Sequence, residues 1–276
     1  MNGIRNKRSR RAMQAGVALL GLLYAVPFYI LLLVSLKPET DLSSYWMPPL
    51  EPTLKNFANA WSKAHLGRAF LNNVLITAVV LLVVVLVGAI ASYPLARIKS
   101  RWNSFVYTLF VSCMVVPPLT ALVPLYRLIA DTFGTSTYPG IIFPHIAFQL
   151  PMTIFLYTGF ISSIPRELDE AAMIDGASRF TLFYRIIFPL LKPITATVVI
   201  MVGVQIWNDY TFSLFFLQKP EMKTITTSLS MFFSQYSNNV SWVAAGCIMC
   251  ALPLALVYLA LQKYFVKGLS AGAVKG

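Results

Sequence analysis

Six long apolar stretches, separated by short polar or charged segments, organise the chain: 12–36, 69–96, 102–126, 138–164, 193–218 and 240–262. Crossing ~30 Å of hydrocarbon at ~1.5 Å per residue takes about 20 residues, and each stretch is long enough. None alternates apolar and polar with a period of two, and a backbone in lipid must satisfy its own hydrogen bonds. The pattern therefore predicts an all-α, polytopic membrane protein: six transmembrane helices in a single transmembrane domain over 1–276. The first stretch follows Arg5, Lys7, Arg8, Arg10 and Arg11. It exceeds the 7–15 residues usual for a signal-peptide core and reads as an uncleaved first span. The segment 37–68 carries Pro38, Pro48, Pro49 and Pro52. These predict a bent linker with one short helix near 54–63.

Composition narrows the class further. Apolar residues make up 57% and charged residues 12%, about half the charged share of a soluble domain. That excludes a soluble globule, and the hydrophobicity excludes disorder. The net charge of +12 could suggest nucleic acid, but the basic residues flank the apolar stretches, as topology signals do. Most of the 22 Lys and Arg fall in the segments before span one, around 97–101, within 166–192 and after 262. By the positive-inside rule both termini are expected in the cytoplasm. Trp102 and Tyr264 stand at expected inner boundaries, as interfacial aromatics do. Cys113, Cys247 and Cys250 all lie inside apolar stretches and read as packing residues. With His65 and His145 far from them in sequence, no metal site is expected.

Missing motifs matter as much as those present. No glycine is followed by lysine, so there is no phosphate-cradling Walker A loop, and neither H-E-x-x-H nor G-x-S-x-G occurs. The chain does not read as an enzyme. Asp209 is the single acid inside a span, a thin basis for ion coupling, so uphill transport would draw its energy from another subunit. With span five starting near Pro193, Asp209 lies about 24 Å along the axis, in the outer part of the membrane. Two readings stand. Gln205, Asn208 and Asp209 line a pathway and offer hydrogen bonds to a solute, or Asp209 belongs to a structural polar cluster paired with a neighbouring span. Trp207 and Tyr210 admit the same choice between stacking on a solute and packing.

The stretch 165–192 is the most charged part of the chain. Pro165 suits an early helical position, Glu167, Asp169 and Glu170 suit the first turns of a helix dipole, and Gly176 suits a stop. A short extramembrane helix of about three turns is expected. Ala171, Ala172 and Gly176 have almost no side chain, so another surface could approach closely. A second helical stretch over 179–188 should lead through Pro189 and Pro193 into span five. A loop this long, with its own helix, is unusual as a mere connection.

Glu170-Ala171-Ala172, Gly176 after three intervening residues, and Ile186-Ile187-Phe188-Pro189 after nine more resemble the EAA signature of permease subunits in binding-protein-dependent ABC importers. Phe188 stands where that pattern usually has Leu, a mild departure. Ala91–Arg97, Val116-Pro117-Pro118, Val123–Tyr126, Trp207-Asn208-Asp209 and the ending from Gln262 resemble the carbohydrate branch, in particular the smaller, six-span permease of maltose-type systems. Pro94 replaces a commoner Ala.

The resemblance implies a type I ABC importer permease fold with a cytoplasmic coupling helix. It implies a second homologous permease, two cytoplasmic ATPase subunits and an extracytoplasmic solute-binding protein as partners, with a sugar as substrate, membrane lipid around the spans and no nucleic acid. No cofactor is expected on this chain; ATP and Mg would sit on the ATPases. Glu170, Ala171, Ala172, Asp175 and Gly176 would be the ATPase-coupling residues. The polar segment Gln235, Tyr236, Ser237 and Asn238 would reach the binding protein, and the small-residue tail after Lys267 would either be disordered or touch the ATPases. The alternatives are a permease for another solute, such as glycerol phosphate, and a stand-alone secondary transporter. A phosphate-bearing solute would want Arg or Lys deep in a span, and none is there.

Overall fold

The structure is a computed structural model that describes residues 7–234 and 239–273. Among the described residues all regular structure is helical. The helices are α1 (Lys7–Leu36), α2 (Lys55–Lys63), α3 (Leu66–Arg97), α4 (Arg101–Cys113), α5 (Leu122–Thr132), α6 (Tyr138–Ser163), α7 (Glu167–Ile174), α8 (Arg179–Leu182), α9 (Phe188–Leu190), α10 (Lys192–Trp207), α11 (Thr211–Phe216), α12 (Ile225–Ser234) and α13 (Val240–Ala273).

Four of these are long and apolar enough to cross a membrane: 10–36, 66–97, 138–163 and 240–263, or five if 179–190 and 192–207, bent by 69°, form one span. The third expected span, 102–126, is not one helix. It is α4 and α5, parted by a non-helical segment over 114–121. Pro117 and Pro118 remove two backbone donors and push the preceding residue out of the helical region. The expected fifth span, 193–218, is α10 and α11, broken at Asn208-Asp209-Tyr210. The prolines that do sit inside helices, at 27, 94, 144, 151 and 253, do not end them, as membrane helices allow.

The chain divides into two compact units: residues 1–67 with 228–251, and 68–227 with 252–276. In the first unit, Asn56 on α2 donates to the carbonyls of Ser35 (2.9 Å) and Lys37 (2.7 Å). It thereby satisfies orphan acceptors at the end of α1. The buried Lys37 ammonium binds the Ser44 carbonyl at 3.0 Å, the Ser43 hydroxyl and the Asp41 carboxylate at 3.5 Å. Along α1 itself, only 6% of the most apolar window is buried. Leu19, Leu22, Leu23 and Phe28 are exposed.

The second unit holds the larger core, where Val80, Val84, Ile141, Tyr157, Ile161, Ile187, Leu191 and Val198 are fully buried. Gly88 sets the approach of α3 to α6, since a Cβ there would overlap Thr153 Cγ2. Alongside, the Ser92 hydroxyl donates to the Ile154 carbonyl at 3.2 Å. α6 begins at Thr137, whose hydroxyl accepts the Gly140 amide at 3.2 Å. Between α8 and α9, residues Phe183–Ile187 form one widened π-type turn. Pro189 follows it, and its ring would clash with the carbonyl four residues back in a regular helix.

Candidate functional site

α7 is the charged helix expected after span four, at eight residues rather than three full turns. Pro165 lies just outside it, with Arg166 as the N-cap. Gly176 ends it. Its φ of +82° is a left-handed conformation that side chains disfavour. The Gly176 amide donates to the Met173 carbonyl (3.1 Å), and the Ala177 amide to the Ala172 carbonyl (2.9 Å). This pair of bonds is the Schellman termination. A Cβ at Gly176 would meet nothing within 4 Å, so within this chain the glycine serves the turn and not a close contact.

The expected coupling residues divide by face. Ala172 is buried against the core. Glu170, Ala171, Asp175 and Gly176 are exposed. Beside them lie exposed apolar side chains that sequence reasoning did not single out, notably Ile174 at 87% and Phe180 at 71% exposure.

α7 is locked to the end of α3 by a group that was also missed. Arg97 Nη2 donates to Asp169 Oδ1 at 3.1 Å, and Nε lies 2.8 Å from Oδ2 without a hydrogen-bonding alignment. The Tyr93 hydroxyl donates to Oδ2 at 3.1 Å. Arg97 Nη1 reaches the Ile164 carbonyl (2.9 Å), and Arg166 reaches back to the Arg97 carbonyl (3.2 Å). Both charges are nearly buried, with side chains 8% and 10% exposed. Because 72 residues separate them, no local pattern announces the pair. The available hint was an acid in a helix's first turn near a basic end of span two.

The break in span five gathers the second group of expected residues. Asp209 Oδ1 accepts the Phe212 amide (3.1 Å); Oδ2 accepts the Ser213 amide and hydroxyl, both at 2.8 Å. His145 Nε2 on α6 lies 3.7 Å from Oδ2. The carboxylate is thus occupied as the cap of α11 and as a neighbour of α6, the arrangement of a structural polar cluster. The backbone around it is also held. Asn73 donates to the Trp207 carbonyl at 3.1 Å, and the Thr226 hydroxyl donates to the Asp209 carbonyl at 2.6 Å.

Gln205 and Asn208 differ from Asp209: both are exposed. Gln205 accepts from Gln149 on α6 at 2.8 Å, while Asn208 donates to its own helix, to the Val204 carbonyl at 2.9 Å. Gln149 was missed because a glutamine in an apolar stretch carries no motif. Trp207 is buried, edge-on to Phe70 with ring centroids 5.6 Å apart; Tyr210 is 43% exposed. Gln235, Tyr236, Ser237 and Asn238 lie outside the described residues. Among the described residues no cluster of His, Cys, Asp and Glu could hold a metal ion.

Comparison with known proteins adds four findings. Residues 84–271 match the family described as "Binding-protein-dependent transport system inner membrane component". The melibiose/raffinose/stachyose import permease protein MelC of Bacillus subtilis (strain 168) is 47% identical over 270 residues, 98% of each chain. A chain from the crystal structure of a bacterial ABC transporter involved in import of the acidic polysaccharide alginate superposes with a TM-score of 0.81 at 17% identity. That match covers 96% of this chain and 99% of the other. A second alginate transporter structure, in complex with its alginate pentasaccharide-bound periplasmic protein, gives a TM-score of 0.70 at 15% identity over 94% and 96%.

Proposed function

Because this chain belongs to the family of inner membrane components of binding-protein-dependent transport systems, we propose that it is one of two permease subunits of an ATP-driven sugar importer. It is a transport permease and not an enzyme, and its fold is that of a type I ABC importer permease. The observation that carries the sugar assignment is 47% identity, end to end, with a permease named for melibiose, raffinose and stachyose import. The proposed substrate class is short, uncharged oligosaccharides. The lack of a cation deep in any span agrees with this and disfavours glycerol phosphate.

In this reading both termini and α7 face the cytoplasm, and α4 and α5 together make the third of six crossings. α1, apolar on nearly every side, packs against lipid or the second permease. The exposed face of α7, with Glu170, Ala171, Asp175, Gly176, Ile174 and Phe180, seats in a cleft of one ATPase subunit, where ATP and Mg bind. Closure of the ATPase pair pushes α7. The Asp169–Arg97 contact carries the push into α3, and the buried face of α7 at Ala172 carries it into the core. The result is a nucleotide-biased equilibrium between inward- and outward-facing states.

The half-buried Gln149 and the exposed Gln205 offer amides to sugar hydroxyls in the pathway, with the exposed Asn208 as a third donor. Asp209 holds the break that presents them. The segment 235–238 meets the solute-binding protein on the opposite side, the partner seen with the alginate transporter. The test is reconstitution with the neighbouring permease, ATPase and binding protein. Raffinose-class sugars on the binding protein should stimulate ATP hydrolysis and drive uptake. Transport by this chain alone in liposomes, without ATP, would overturn the proposal.

A further inference from the structure

One sizeable cavity belongs neither to the coupling segment nor to the span-five break. It has a volume of about 880 Å³ and lies between the end of α3, the first turns of α4 and the end of α6. It thus sits at a membrane boundary, on the side that carries α7, and falls in the size range of small-molecule sites, ~300–1,000 Å³.

Its walls are built, not accidental. The α3–α4 turn is stapled by Asn103, whose amide donates to the carbonyls of Pro94 (3.1 Å) and Ile98 (3.0 Å). Ser100 caps α4 by accepting the Asn103 amide at 3.0 Å. Lys99 and Arg101 flank that turn and line the cavity. Neither is paired with a carboxylate among the described residues.

On the α6 side, the floor is Gly159, where a Cβ would meet nothing within 4 Å. Next to it, Thr158 is only 7% exposed, yet its hydroxyl has no hydrogen-bond partner. A threonine in a helix usually bonds the carbonyl four residues back. Here that carbonyl, on Ile154, already accepts from Ser92. A buried hydroxyl left without a partner costs about 1–3 kcal/mol, so an unpartnered one lining a cationic cavity points to a ligand that accepts hydrogen bonds. Phe105 also lines the cavity, and Trp102 stacks on it at 5.7 Å; the two are exposed at 57% and 71%. They form an apolar, aromatic rim at interfacial depth.

We propose that this cavity binds one anionic phospholipid of the leaflet on the α7 side, the inner leaflet on the reading above. Lys99 and Arg101 pair with its phosphate, Thr158 donates to an ester or glycerol oxygen, and the acyl chains leave over Trp102 and Phe105. Two unpaired cations at a boundary, a donor deeper in, and an apolar exit match the order of groups along such a lipid. The lipid would bridge α4, which buries no side chain of its own, to α6.

The assembled transporter, purified in mild detergent from membranes of mixed phosphatidylethanolamine and phosphatidylglycerol, is the sample; bound lipid is read by native mass spectrometry. One phosphatidylglycerol per copy of this chain should survive, and Lys99→Gln with Arg101→Gln should weaken its retention roughly 30-fold, from the worth of two basic residues against anionic lipid. Thr158→Val, which keeps shape, should weaken it about fivefold, the worth of one hydrogen bond. Arg10→Gln with Arg11→Gln removes the same charge elsewhere and should leave retention unchanged.

Equal loss in both double variants, or full retention in the Lys99/Arg101 pair, would overturn the proposal. Displacement by inorganic phosphate alone would assign the site to free phosphate, and a second permease filling the cavity in the assembly would assign it to protein. Lipid retention by a chain that fails to join any ATPase would count against the importer reading and not against this one.

Discussion

Replacing Arg97 by Met tests how motion enters the membrane helices. Arg97 and Asp169 are about nine-tenths buried and joined through a two-pronged contact at 2.8 and 3.1 Å. Removing the arginine leaves a carboxylate with only the Tyr93 hydroxyl at 3.1 Å in a poorly solvated place. Breaking a buried ion pair from one side costs about 3–5 kcal/mol. Arg97 also satisfies the Ile164 carbonyl, so the cost lies toward the upper end. At 1.4 kcal/mol per decade, the docked position of α7 on α3 should lose about three orders of magnitude in relative population. The complex should still assemble, because the exposed face of α7 is untouched. Binding-protein-stimulated ATP hydrolysis in proteoliposomes should fall toward the unstimulated rate, and sugar uptake with it. Asp169→Leu should behave alike. The double variant Arg97→Met with Asp169→Leu should be milder than either single change, because no charge is then stranded. Normal uptake in Arg97→Met, or a double variant as severe as the two singles combined, would refute a mechanical role for the pair.

Three further outcomes are expected. Gly176→Ala should cost about 1 kcal/mol, because its φ of +82° is strained for any side chain, and should lower the melting temperature slightly. Gly176→Trp should in addition abolish uptake while leaving membrane insertion intact, as judged by immunoblot. Asp209→Ala removes the acceptors of the Phe212 and Ser213 amides. It should destabilise the complex by ~1–2 kcal/mol, whereas Asp209→Asn should recover most of that in thermal melts and leave the Michaelis constant for sugar near normal. A large Michaelis-constant change with Asn would instead place the carboxylate on the sugar. Gly88→Ala should destabilise by overlap with Thr153 Cγ2, and a second change, Thr153→Ser, should relieve it; failure of that rescue would mean that α3 and α6 do not meet there.

Hydrophobic runs bounded by charge approximate two long helices to within three residues at either end, while α1 starts five residues before 12 and α13 runs eleven residues past 262. The expected 69–96 became Leu66–Arg97 and 138–164 became Tyr138–Ser163. The same criterion missed the division of the third run, since hydropathy counts Pro117 and Pro118 as tolerable apolar residues while their missing donors end a helix. α7 and its glycine stop were legible because dipole, capping and left-handed φ are local matters. Its packing was not. Which of its residues face the core, and that Asp169 seeks Arg97, depend on how α3 and α6 meet at Gly88. Asp209 was visible as an anomaly, an acid in an apolar run, but its use as a helix cap required knowing that the helix restarts at Thr211.

The central claim is that α7 receives the push of an ATPase subunit. The most direct measurement places a thiol-specific photo-crosslinker on Ala171→Cys, an exposed position of α7, with Cys113, Cys247 and Cys250 changed to Ser, in membranes carrying the whole importer. Illumination should join this chain to the ATPase subunit, and the yield should change when ATP is added. Adducts with lipid or solvent alone, whatever the nucleotide, would contradict the claim.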